Sequence, residues 1–165
     1  MYSGARMATI NFSLFEEKAG ITFKNKALLE QAFTHRSYLN EHRNSGQEHN
    51  ERLEFLGDAV LELVVTKFLY NKFPSQDEGD LTAYRSALVN TYTLSEAATK
   101  LGMNAFLLLS KGEAKDTGRA RQFILANVFE AFIGAIYLDQ GYEAAEKFIS
   151  DNIFGLIDEI VEKKK

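Results

Sequence analysis

The chain has 165 residues, of which 45% are hydrophobic and 25% charged, with a formal net charge of −4. That is one domain's worth of ordinary globular sequence. The absence of cysteine excludes disulfides, thiolate metal sites and a cysteine nucleophile, and the acidic balance means that a polyanionic partner needs a local basic patch, bound cations or another domain.

In chain order the pattern is helical, with no sustained period-two alternation that would mark a strand. Residues 1–11 read as a flexible lead in which Met7 follows a short Gly-containing stretch. A first helix spans residues 13–19 and stops at Gly20, and a second spans 26–34. Residues 39–46 are polar, end in RNSGQ, and read as a loop. A long helix is expected over 48–72, stopped by Pro74, the only proline. The next helix begins near Asp80 or Thr82 and continues to Leu88. Another covers 93–100 and closes at Gly102. SKGEAKDTGRARQ, residues 110–122, reads as a mobile connector. An apolar helix over 122–139 ends before Gly141, and one amphipathic helix runs over 142–161. No signal-type run stands at the start, and no segment is expected to span a membrane. A reducing, cytoplasmic setting is compatible with this composition.

The long helix contains HNERLEFLGDAVLEL, residues 49–63, in which Glu51, Glu54, Asp58 and Glu62 interrupt an apolar run. At about 100° per residue the four acids fall within an arc of about 80°. The later apolar helix repeats the feature: between Phe123 and Leu138 its strongly hydrophilic side chains are Asn127 and Glu130, three apart and on one face. Crowded carboxylates beside apolar walls need a proton, a basic residue or a cation. A solvated acidic face and a site for a hard divalent ion such as Mg²⁺ or Mn²⁺ both fit the spacing. The recurrence on a second apolar helix favours the ion, which prefers oxygen ligands and serves phosphate chemistry.

Other candidates carry less. His35, His42 and His49 are seven apart, which is not zinc spacing, and read as surface or capping residues. GEAKDTGRAR lacks the spacing of a phosphate-binding loop. An all-α nucleotide pyrophosphohydrolase also uses Glu-x-x-Glu stripes, and ERLE and NVFE fit that pattern superficially.

HNERLEFLGDAVLEL resembles the signature of ribonuclease III nuclease domains. LLEQAFTHRSY upstream, and FPSQDEGDLTAYRSALVN and GRARQFILANVFEAFIGAIYLDQGYEAAEKFI downstream, agree with it in family order. The resemblance covers residues 12–160. It implies an all-α nuclease domain over residues 12–161 that forms a homodimer with a central valley for double-stranded RNA. It implies Mg²⁺-dependent endonuclease chemistry, with Mn²⁺ able to substitute, leaving 5′-phosphate and 3′-hydroxyl ends with short 3′ overhangs, as in rRNA and mRNA processing. Carried over by position, Glu54, Asn127 and Glu130 are metal ligands, and Asp58 and Glu130 are catalytic. Glu51 and Glu78 are acids near the cleavage site or dimer interface. No membrane partner is implied.

Two departures stand out. The family usually has Asp where ILAN places Asn127. An amide oxygen still binds Mg²⁺ but brings no charge, so the resemblance implies either an active enzyme with weaker metal binding or an inactive relative that binds double-stranded RNA. The second departure is that residues 162–165 read as the start of a linker, and the double-stranded-RNA-binding domain usual in bacterial relatives is absent from this chain.

Overall fold

A computed structural model of the chain describes residues 10–164. The expected lead over residues 1–11 lies almost wholly outside the described residues. Among the described residues ten α-helices and two 3-10 turns follow one another. Among the described residues the β-type pairing is a single parallel bridge between Thr34 and Leu108, so the all-α expectation holds.

Helix α1 (Phe12–Ala19) starts where the Asn11 side chain accepts from Ser13 N–H, and ends at Gly20, whose φ of 72° is left-handed. Helix α2 (Lys26–Ala32) is capped by Asn25 in the same way. Helix α3 (Arg36–Glu41) occupies part of the stretch expected as loop, with His35 as its cap. Helix α4 (Glu51–Lys72) starts three residues later than the periodicity suggested, because Asn50 is held by the preceding chain. Its N–H donates to Thr34 O and its amide to Ala32 O at 2.9 Å.

Helix α5 (Glu78–Val89) begins earlier than expected, since Asp77 is the cap and accepts from Asp80 N–H at 2.8 Å. Helix α6 (Thr91–Lys100) follows after Asn90 alone. Residues 110–122 are not a mobile connector: they hold helix α7 (Lys111–Lys115) and the first turn of α8 (Arg119–Gln140). Arg121 is buried there and donates to Asn104 Oδ1 and to the carbonyls of Glu113 and Ala114, which ties α7 down. The final helix is not continuous either. Helix α9 (Tyr142–Ile153) breaks at a 3-10 turn, Phe154–Leu156, before α10 (Ile157–Lys163). Phe154 stacks on Phe68 of α4, ring centroids 3.8 Å apart, and this contact turns the chain.

Helix α8 is the axis of the fold. It packs against α4 most extensively, then α6, α9 and α2. By length and composition α8 is apolar enough to cross a bilayer, contrary to the expectation from sequence. It is apolar all round because neighbours cover it: Ile124, Val128, Phe132, Ile136 and most residues between are buried. Phe132 lies edge-on to Phe15 (5.2 Å) and Phe148 (5.0 Å), which links α1 and α9 through α8.

The α4–α8 crossing is closer than side chains allow. A Cβ on Gly57 would stand 1.7 Å from the Glu130 carbonyl oxygen, and one on Gly134 would stand 2.3 Å from the Leu53 carbonyl oxygen. Two glycines in helix interiors cost intrinsic stability of roughly 1 kcal/mol each relative to alanine, and here they let two backbones touch. Gly57→Ala and Gly134→Ala are each expected to destabilise the fold by about 3 kcal/mol or more, because rigid backbone must give way. Gly155→Ala, with nothing within 4 Å of the added carbon, is the control. Urea unfolding measures all three.

Candidate active site

The crossing sets the site. At its N-terminal half α4 presents Glu51, Glu54 and Asp58, and α8 presents Asn127 and Glu130. These five residues line one cavity of about 530 Å³, together with His35, Asn50, Phe55 and Ile124. Because Gly57 lies against the backbone of Glu130, the acids of the two helices are forced to face each other across it.

The electrostatics register the crowding. Glu130 is pushed up from an ordinary 4.5 to about 9, first by burial, then by a hydrogen bond with the Asp58 carboxyl and by the charges of Asp58, Glu54 and Glu62. Glu54 is also pushed up, by burial and by its neighbours Glu51 and Asp58. Thus Glu130 holds its proton at neutral pH and shares it with Asp58. Glu51 is more exposed and leans toward Arg36, 3.4 Å away.

Among the described residues no three His, Cys, Asp or Glu side chains are grouped closely enough to enclose a metal ion. The acids share a cavity without closing into a cage. The donor set nonetheless suits a hard divalent cation in its chemistry. Glu54, Asp58, Asn127 and Glu130 all offer oxygen, and the proton that Glu130 retains is one a cation would displace.

Not every residue singled out from sequence meets here. Glu78 lines a separate cavity with Thr66, Tyr70 and Arg85, so within one chain it is no part of the acidic site. Glu62 acts on Glu130 through its charge but does not line the cavity. Conversely, His35 was expected only as a surface or capping residue. It does cap α3, its Nδ1 accepting from Ser37 N–H at 3.2 Å, yet it also lines the cavity. No spacing rule connects residue 35 with residues 51–58. His42 stacks on Tyr38 at 3.9 Å, and His49 sits beside Glu51 N–H, away from the acidic cavity's lining.

A family model described as ribonuclease-III-like matches residues 25–157. The chain belongs to the ribonuclease III family. It is 52% identical over 148 residues to ribonuclease 3 of Bacillus cereus, an alignment covering 90% of this chain and 60% of that protein. The chain thus spans about 60% of the length of the curated relatives it matches. Among solved structures it superposes on the nuclease domain of ribonuclease III from Campylobacter jejuni with a TM-score of 0.77 and 40% identity, covering 86% of this chain and 98% of that one. That structure's description reports structural flexibility in a region involved in dimer formation. Dicer from Pichia stipitis matches at 31% identity with a TM-score of 0.60, over 86% of this chain and 58% of that one. The family fold therefore accounts for the all-helical architecture around α4 and α8.

The raised carboxyl has a direct consequence. A group whose folded value exceeds its unfolded value contributes stability that is fully present below the unfolded value and is lost as pH rises through the folded one. For Glu130 that window runs from about 4.5 to about 9, and Glu54 adds a loss of the same sign. In chelator the melting temperature is expected to fall across this window. Glu130→Gln should flatten the fall and raise stability at pH 8, read by thermal melts at a series of pH values.

Proposed function

We propose that this chain is the catalytic domain of an endoribonuclease that hydrolyses double-stranded RNA, leaving 5′-phosphate and 3′-hydroxyl ends with short 3′ overhangs. The observation that carries the reading is the meeting of Glu54, Asp58, Asn127 and Glu130, from two crossing helices, in one cavity. Membership of the ribonuclease III family supports it. RNA processing in the cytoplasm is the setting we assign, and the cysteine-free composition suits it.

Mg²⁺, with Mn²⁺ as substitute, is the ion we assign to Glu54, Asn127 and Glu130. Bound there it would acidify water and neutralise charge developing on the phosphate. The chain's own residues do the rest. Attack by water on phosphorus releases a proton and breaks the bond to the 3′ oxygen, which takes a proton from solvent water to leave as the 3′-hydroxyl. Asp58, the more exposed partner of the carboxyl pair, takes that proton. Glu130, its proton displaced, would hold the ion from the apolar wall and leave the Asp58 carboxylate free to accept. Asn127 contributes a neutral oxygen, so ion affinity is lower than a third carboxylate on the site would give.

A homodimer completes the proposal. Phe55, Leu63 and Tyr70 of α4 are exposed, Phe55 by 83%, and they fall within about 80° of one another around the helix. Such an apolar strip beside an acidic cavity suits burial against a second copy. The duplex would then lie across both cavities, recognised by phosphates and 2′-hydroxyls. Glu51 and Glu78 would sit at or near that junction.

Cleavage of a long RNA duplex at low salt is expected to require Mg²⁺ or Mn²⁺ and to weaken steeply as salt rises. Glu130→Gln should lower the rate at least about a hundredfold. Product ends are read by labelling. Asn127→Asp should lower the Mg²⁺ concentration that gives half-maximal cutting. A parent that binds the duplex without cutting it, while Asn127→Asp cuts, would instead make this a double-stranded-RNA-binding relative, a reading that residue 127 itself favours. Phe55→Asp should convert a dimer to a monomer in sedimentation and reduce cutting with it. A strictly monomeric parent would remove the shared valley.

A further inference from the structure

His35 meets the acidic cavity from the junction of α2 and α3, and its ring is held by a directional chain of hydrogen bonds. Ser110 N–H donates to Ser37 Oγ at 2.9 Å. Ser37 Oγ stands 2.7 Å from His35 Nδ1, and Ser37 N–H points at the same nitrogen from 3.2 Å. A backbone amide can only donate, so Nδ1 must accept. The Ser37 hydroxyl, with its oxygen occupied by Ser110 N–H, donates its hydrogen to Nδ1 as well. A neutral ring bound this way carries its proton on Nε2. Protonating Nδ1 would set two donors against it, and burial lowers the imidazole's pKa, only partly offset by the charge of Glu113.

Among the described residues, Nε2 has no hydrogen-bond partner. The cavity therefore contains a neutral imidazole N–H donor among its acids, beside the amides of Asn50 and Asn127. A lysine there would collapse onto a carboxylate and quench it. A neutral N–H stays available to an incoming anion.

We infer that His35 donates its Nε2 hydrogen to a non-bridging phosphate oxygen of the RNA strand seated in the acidic cavity, with Ser37 and Ser110 fixing the tautomer that makes this possible. The inference rests on the nuclease reading above and adds a substrate-contacting residue to it. It also gives the tether between α7 and α3 a purpose. Ser110, the cap of α7, holds Ser37, and Ser37 holds the ring.

The experiment has two arms. Long-range ¹H–¹⁵N spectra of histidine-labelled protein at pH 7 read the tautomer directly. The expected result is a protonated Nε2 and a bare Nδ1 in the free protein. In a Glu130→Gln background, which suppresses cutting, a short RNA duplex should then shift the Nε2–H resonance and slow its exchange. In the second arm, His35→Phe keeps a ring without a donor and His35→Gln keeps an amide donor. His35→Phe should lose about tenfold to a hundredfold in single-turnover cleavage, the size of one hydrogen bond to a charged group, and His35→Gln should recover most of it at a similar melting temperature. A proton on Nδ1, an Nε2–H unmoved by RNA, or His35→Phe cutting at the parental rate would each overturn the inference. If the parent cuts no duplex at all, the nuclease reading falls by itself, and the spectra still decide whether His35 meets the phosphate.

Discussion

The rest of the structure depends on the contact of two helix backbones at Gly57 and Gly134. Both glycines face carbonyl oxygens of the opposite helix at distances that leave no room for a methyl group. That contact brings α4 and α8 close enough for carboxylates on each to share one cavity, and it fixes their relative rotation. A wider crossing would separate Glu54 and Asp58 from Asn127 and Glu130 and leave ordinary solvated acids. The glycines give up intrinsic helix stability, and the surrounding core of Leu53, Leu61, Phe129 and Ile133 offsets that loss by burial.

The acidic cavity works against stability in the free chain. Like charges are held together beside apolar side chains, and the fold relieves the repulsion by keeping a proton on Glu130 and sharing it with Asp58. Active sites commonly carry such unfavourable clusters, since the groups that chemistry needs are the ones a folded core would exclude. The site is built on rigid parts. Two 22-residue helices carry the acids, and the buried Arg121 and the Ser37–Ser110 tether hold the adjoining α7 segment. Rigidity of this kind keeps mutually repelling groups from drifting apart.

Much of the helix content is legible in the sequence. The acid stripe on residues 51–62 and the Asn127–Glu130 pair announced themselves because polar residues at helical spacing inside apolar runs are conspicuous. The misplaced boundaries have more than one cause. Asn50 and His35 are caps fixed by remote backbone, Thr34 and Ala32 for one and Leu108 for the other, whereas Asp77 is a local cap that competed with Asp80 in the same short stretch. The segment of residues 110–122 looked mobile because its Gly, Lys and Asp content suits a loop. It is ordered by Arg121, whose burial is a property of the packed structure. The break at Phe154 likewise comes from stacking on Phe68, a partner far away in sequence.

By itself, the order of residues determined that the chain is helical, that two helices carry acids in an apolar setting, and which family the motifs resemble. These follow from local periodicity and from words of sequence long enough to be specific. Only the tertiary structure decided that the acids of both helices face one cavity, that Glu78 stands apart from it within the chain, and that His35 joins it with a fixed tautomer. Those outcomes depend on distances between residues remote in sequence, set here by two glycines that permit backbones to touch.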